Sequence, residues 1–181
     1  MILNNLIAAQ QGSKVVLTPI ANGATNTSTT SAVPTMTSNT APSGVASASP
    51  DYGGGNAAWA AFDASDNTFW YAVTTIPGWV QYEFPSAIPV NKYTMVCYDL
   101  NNYNVAWTMK GSNDGTNWTT LQSLTGQFFA GSDPDVRTEE QTFTFSNATS
   151  YKYYRLTVTQ CGGLGSELAV PSLKLIECQY Q

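Results

Sequence analysis

Beyond residue 36 the chain alternates apolar and polar positions in short runs. The clearest run is 107–118. Trp107, Met109 and Gly111 alternate with Thr108, Lys110 and Ser112, which is the period-two pattern of a strand with one buried face. Asn113-Asp114-Gly115 follows, and Asp-Gly predicts a tight turn because Gly accepts positive φ without steric cost. Trp118 to Leu121 restarts an extended run. In 79–84, Val80, Tyr82 and Phe84 face one way and Trp79, Gln81 and Glu83 the other. Further strands are predicted at 45–49, 93–98, 142–145, 154–158 and 173–175. Met95 and Val96 lie on opposite faces of theirs, and Phe143, Phe145, Leu156 and Val158 are expected to be buried. Residues 57–62, Ala-Ala-Trp-Ala-Ala-Phe, predict one helical turn. Many short strands separated by Gly, Pro, Asn or Asp, with no long helix and no internal repeat, predict an all-β antiparallel sandwich.

The N-terminal part reads differently. Residues 1–20 hold two short apolar patches, 2–9 and 15–20, and residues 21–40 are almost wholly Ala, Asn, Thr, Ser, Gly and Pro. Such a stretch buries too little apolar surface to offset its ordering entropy. The expected organisation is an N-terminal arm and low-complexity linker over 1–35, then one sandwich over 36–181. Two readings of the arm stand side by side: docking on a neighbouring subunit, or a frayed terminus.

Charge and composition narrow the chemistry. Seven Lys plus Arg against twelve Asp plus Glu give a net charge of −5, with no basic run, which argues against a nucleic-acid partner. There is no histidine, so the commonest general base and metal ligand is missing. No Gly-x-Ser-x-Gly elbow is present, and Gly53-Gly54-Gly55 lacks the lysine of a phosphate cradle. The carboxylates fall in no recognisable glycosidase pair. The expectation is therefore a non-catalytic protein. A surface rich in Asn, Thr, Ser and Tyr suits neutral polar partners such as sugars. Cys97, Cys161 and Cys178 show no CxxC spacing, which argues against zinc. A Cys161–Cys178 disulfide and buried thiols are both compatible with the count. The first residues lack the basic region of a secretory signal, and no segment approaches a membrane span in length, so neither signal peptide nor membrane insertion is expected.

Taken in order, Ala61-Phe62-Asp63, Thr68-Phe69-Trp70, 78–84 (Gly-Trp-Val-Gln-Tyr-Glu-Phe), 111–118 (Gly-Ser-Asn-Asp-Gly-Thr-Asn-Trp), 151–156 (Tyr-Lys-Tyr-Tyr-Arg-Leu) and Leu173-Lys174-Leu175 resemble a discoidin-like (coagulation factor type C) domain. The resemblance implies a galactose-binding-like β-sandwich jelly roll with an extended N-terminal arm. It also implies a binding module that takes carbohydrates, lipid headgroups or proteins through loops at one end. The wording of 112–118 and 151–155 resembles variants found in bacteriophage structural proteins. The expected role is an accessory virion protein: a head decoration, or a tail, baseplate or fibre component that displays a carbohydrate-binding module for adhesion to the host surface. Its expected partners are other virion subunits, through the arm, and a neutral cell-surface glycan, with the chain oligomeric or in many copies on the particle. The alternatives are a carbohydrate-binding module of a bacterial surface enzyme, or a purely structural capsid or tail subunit.

The resemblance also supplies candidate sites. It implies a calcium ion beside Asp63, Asp66 and Thr68, weakened because Lys174 stands where the family has a glutamate. An ammonium there is expected to replace the cation by pairing with Asp63 or Asp66, with Glu177 as the alternative carboxylate. Four of the five tryptophans occupy family-like packing positions, so core is the expected role of Trp59, Trp70, Trp79, Trp107 and Trp118. The expected rim for a ligand lies in loops 50–56, 71–78, 98–105 and 161–167, with Asp51, Tyr52, Tyr71, Asp99, Asn101, Asn102, Tyr103, Ser166 and Glu167. Carbohydrate-binding relatives place an arginine near the start of the third loop. Tyr98 or Asp99 stands there instead, so the resemblance does not extend to galactose specificity.

Overall fold

The structure is a computed structural model and describes residues 26–49, 57–65, 67–72, 77–98, 104–128, 140–160 and 168–178. Among the described residues nine strands form in chain order: β1 (Val45–Ala48), β2 (Trp70–Ala72), β3 (Gly78–Ile88), β4 (Val90–Tyr98), β5 (Asn104–Ser112), β6 (Thr119–Phe128), β7 (Gln141–Thr144), β8 (Tyr151–Gln160) and β9 (Leu168–Glu177). A single 3-10 turn, Ala58–Ala61, supplies the helical turn expected from the alanine run. The strands make two antiparallel sheets, ordered β1-β3-β8-β5-β6 and β2-β9-β4-β7. The antiparallel sandwich expected from the alternation, and the jelly roll that the resemblance implies, is the fold observed.

The core is made where the inward positions of both sheets meet. Val80, Tyr82 and Phe84 of β3, Trp107 and Met109 of β5, and Leu156 and Val158 of β8 face Tyr93 and Met95 of β4 and Leu173 and Leu175 of β9. All are buried. Phe143 and Phe145 are half-buried and not fully buried as expected, because β7 is a sheet edge and covers them from one side only. The sheets are also tied by polar groups. The Trp107 indole N–H donates to the Tyr93 hydroxyl at 2.7 Å, and that hydroxyl donates to Gln122 Oε1 at 2.8 Å. Burial pushes the Tyr93 phenol above its ordinary range.

One departure from the sequence reading has a local cause, and one open alternative is decided. Residues 26–35, which composition assigns to a linker, pack on the sandwich. Val33 and Met36 are buried, and the Ala32 N–H donates to the Leu175 carbonyl at 2.7 Å. Asn26 Nδ2 bonds both Asn91 Oδ1 (2.6 Å) and the Glu177 carbonyl (2.9 Å), and the buried Lys92 ammonium donates to the Asn26 carbonyl at 2.8 Å. Few apolar anchors suffice here because backbone and amide groups make the contacts. Cys178 is a free, buried thiol, so the Cys161–Cys178 disulfide is not formed; Asn91 Nδ2 lies 3.0 Å from its sulfur.

The Asp114-Gly115 turn forms as expected, with Gly115 at φ +71°. Asp114 organises it by accepting from the Asn117 side-chain amide (2.7 Å) and from the Asn117 (2.7 Å) and Thr116 (2.8 Å) backbone N–H groups. These bonds hold its carboxyl below the usual carboxylate range, the Asn117 side chain contributing most. Gly111 has a different reason for being glycine. A Cβ there would lie 2.5 Å from the Tyr151 ring.

Two outcomes test this packing. Leu156→Ala is expected to cost about 2–5 kcal/mol in denaturant unfolding, because it opens a cavity between the sheets. Asp114→Ala is expected to lower the melting temperature at neutral pH. A carboxyl whose pKa is depressed by folding stabilises the fold above its unfolded value and loses that contribution as pH falls through the folded one. The melting gap between variant and wild type should therefore close progressively below about pH 4; a pH-independent gap would assign the effect to the turn backbone alone.

Candidate functional site

Strand register sorts the loops into two poles. Ala48 of β1 lies opposite Val80 near the start of β3, and Gly78 lies opposite Val158 near the end of β8. Ala106 pairs with Gln160, Asn104 with Phe128, Tyr98 with Ala169 and Ala72 with Leu168. The end of β1, the end of β2, the start of β3, the end of β4, the start of β5, the end of β8 and the start of β9 thus share one pole. The connections through 50–56, 73–77, 99–103 and 161–167 all leave from it. The opposite pole carries the β3–β4 corner at Ile88–Pro89–Val90, the Asp114 turn and the start of β8. It also carries Asn26 and Cys178, where the described chain begins and ends; Cys178 N–H donates to the Pro89 carbonyl at 2.7 Å.

Of the rim residues expected from sequence, Tyr71 lies on β2, paired with Ala169 and one residue from that strand's end. Asp51, Tyr52, Asp99, Asn101, Asn102, Tyr103, Ser166 and Glu167 lie outside the described residues. The register does bring together the strand ends that flank them. One further segment, 129–139, leaves β6 at the same pole, since Phe128 pairs with Asn104. It carries Arg137 with Asp133, Asp135 and Glu139. The sequence reading missed it because β6 was followed only to Leu121. Bulges opposite β5 set Leu121 and Leu124 three residues apart on the core side, which breaks the period-two signal.

The tryptophans divide in a way the sequence reading did not anticipate. Trp70 and Trp107 are fully buried, and Trp59 is half-buried against the core. Trp79 and Trp118 instead lie half-buried on the outward face of the five-stranded sheet, on either side of Arg155. The guanidinium sits 3.9 Å from the Trp79 ring centre and 4.0 Å from that of Trp118, and Arg155 Nε donates to Gln81 Oε1 at 2.8 Å. Gln81 and Arg155 are cross-strand neighbours, so the stack follows from register. It uses one face of each ring for packing.

The described oxygen donors near Asp63 do not fit calcium. Asp63 Oδ1 accepts the Ser65 N–H at 2.9 Å and Oδ2 accepts the Thr68 hydroxyl; Asp66 lies outside the described residues. Lys174 does not pair with Asp63. It stands opposite Thr94 of β4 and reaches across that strand to Glu140, just ahead of β7. Glu177 is opposite Val90, at the far end of β9. Among the described residues no three His, Cys, Asp or Glu side chains cluster. A hard dication needs six or more oxygens with net negative charge, and among the described residues the loop offers one carboxylate, Asp63, already in use.

A two-sheet antiparallel jelly roll with most of its long connections at one pole defines a class of β-sandwich fold, in which loops are the places free to carry a site. The profile of the F5/8 type C domain matches residues 44–168, and the chain belongs to that family. A chitosan-binding module from a chitosanase/glucanase of Paenibacillus sp. IK-5 is 26% identical, with a TM-score of 0.59 over 77% of this chain and 98% of that one. The CBM32 of AlyQ in complex with 4,5-unsaturated mannuronic acid shares 16% identity and a TM-score of 0.60, over 74% of this chain and 95% of that one. The family 32 module of C. perfringens NanJ in complex with galactose shares 19% identity and a TM-score of 0.57, over 73% and 92%. No curated protein matches the sequence. The fold is that of a carbohydrate-binding module.

Proposed function

We propose that the chain is a non-catalytic glycan-binding module, displayed on a bacteriophage particle as a head decoration or as a tail, baseplate or fibre component. The observation that carries the reading is polar geometry. Loops rich in tyrosine, amides and carboxylates leave one pole, while Asn26, where the N-terminal segment joins the sandwich, sits at the other. A module tethered through residues 1–25 in this way presents its rim outward. The non-catalytic reading is supported by the absence of histidine and of any nucleophile or phosphate motif. The viral reading is supported by the wording of 112–118 and 151–155. A second reading, a module of a bacterial polysaccharide-degrading enzyme, is favoured by one observation: the 26%-identical structure comes from a chitosanase/glucanase.

The rim residues Asp51, Tyr52, Tyr71, Asp99, Asn101, Asn102, Tyr103, Ser166 and Glu167 combine ring faces with amides and carboxylates. They contain no cation, and segment 129–139 adds more carboxylate than arginine, so the preferred ligand is a neutral glycan. Binding per site is weak, with a dissociation constant on the order of millimolar, and gains strength from many copies on one particle.

Tyr103→Ala and Asn102→Ala are expected to reduce binding to whole host cells severalfold in a sedimentation assay and to leave the melting temperature nearly unchanged. Lowered stability with intact binding would make these residues packing groups and remove the rim assignment. Deleting residues 1–20 is expected to leave the sandwich folded by circular dichroism, since the described packing begins at Asn26, and to abolish incorporation into particles. Normal incorporation of the truncated chain would refute the docking role of the arm.

A further inference from the structure

We propose that the turn 62–65 is braced by the chain's own N-terminal segment, and that the domain's stability is independent of calcium. The loop follows the 3-10 turn and must be held against β9 before β2 can pair there. Two backbone bonds do this. The Met36 N–H donates to the Phe62 carbonyl at 3.1 Å, and the Ala32 N–H donates to the Leu175 carbonyl at 2.7 Å. Residues 32–36 therefore bridge the loop and β9, with Val33 and Met36 buried beneath the bridge. The loop closes on itself as well. Ala64 takes φ +54°, a left-handed conformation that costs a non-glycine residue energy, and the Asp63 carboxylate on one side accepts from Ser65 and Thr68 on the other.

The space left between segment 31–35, the loop and β9 is a cavity of about 50 Å³. Its described walls include the hydroxyl-bearing Ser31, Thr35 and Ser172 together with Ala64 and Lys174, and no carboxylate. The only charged side chain on those walls is an ammonium, neutralised by Glu140 across β4. That ion pair passes over Thr94, which lies between Lys174 and Thr142 in register and is buried. A dication placed in the cavity would meet hydroxyls and an ammonium already paired with Glu140, with no anionic ligand on the described walls. The tie between loop and β9 that a metal would supply is already made by the backbone hydrogen bonds of Ala32 and Met36.

The test is amide hydrogen exchange and thermal melting of the full-length protein in excess calcium and in EDTA, alongside the variant Val33→Ala. The expected result is coincident melts and unchanged exchange over 62–65 in the two buffers. In Val33→Ala, exchange over 62–65 should accelerate on the order of tenfold, equally with and without calcium. A wild-type melting temperature that rises with calcium, slower exchange of the loop in calcium, or rescue of Val33→Ala by calcium would overturn the proposal.

Discussion

The structure depends on what happens where Trp107 meets Tyr93. These are the two large inward rings of β5 and β4, one from each sheet, and both carry a polar atom into the core. Burying an indole N–H or a phenol without a partner costs more than a typical hydrogen bond returns. The pair resolves this by bonding to each other, with the Tyr93 hydroxyl donating a hydrogen bond to Gln122 Oε1 of β6. Gln122 in turn donates to the Thr144 carbonyl of β7 at 3.0 Å. Phe143 closes the cluster, stacked on Tyr93 at 5.1 Å and edge-on to Trp107 at 5.0 Å. One polar chain therefore links four strands across the gap and fixes the angle at which the sheets face one another.

With the sheets pinned in the middle, chemical variety is confined to their ends. Inward positions are committed to packing and outward ones to cross-strand contacts, so loops are the places where a ligand can be read. The register sends most of the long connections to one pole and reserves the other for tight corners. Tyr154 shows how those corners are built: its hydroxyl donates to the Ile88 carbonyl at 2.7 Å and accepts the Val90 N–H at 2.9 Å, closing the β3–β4 corner from below. The entry of the chain at Asn26 is stitched to this same rigid pole. Asn26 and the long connections are thereby separated by the length of the sandwich.

How much of this was legible beforehand depended on whether one face of an element was clean. β3 over 78–84, β5 over 107–111 and β8 over 154–158 alternate cleanly, and the inward sets at Val80, Trp107 and Leu156 could be read directly. β6 could not be followed past Leu121, because bulges shift its phase. Residues 26–36 were illegible for another reason. Their contacts are made by backbone groups and by Asn26, which composition records only as polarity. The partner of Lys174 was misread because a sequence shows which residues share a strand but not which way a long side chain leans. Glu140 is nearest across β4, and nothing in the spacing of Asp63 and Lys174 announces it. The rim was legible as a set of loops, and the register supports their common origin; the individual side chains in them rest on sequence alone.

The few charges of this chain explain the character of its surface. Arg155 is clamped between two indoles and bonded to Gln81, and its burial pushes the guanidinium below its ordinary pKa. Lys92 is buried against the Asn26 carbonyl, Lys152 pairs with Glu83 at 2.7 Å, and Lys174 pairs with Glu140. These four cations are all engaged within the domain. With a net charge of −5, the protein has little positive charge left to attract an acidic polymer. Under the proposed reading, recognition rests on ring faces and neutral hydrogen-bonding groups. Such groups give weak contacts that salt screens little, and many copies are what would make them strong.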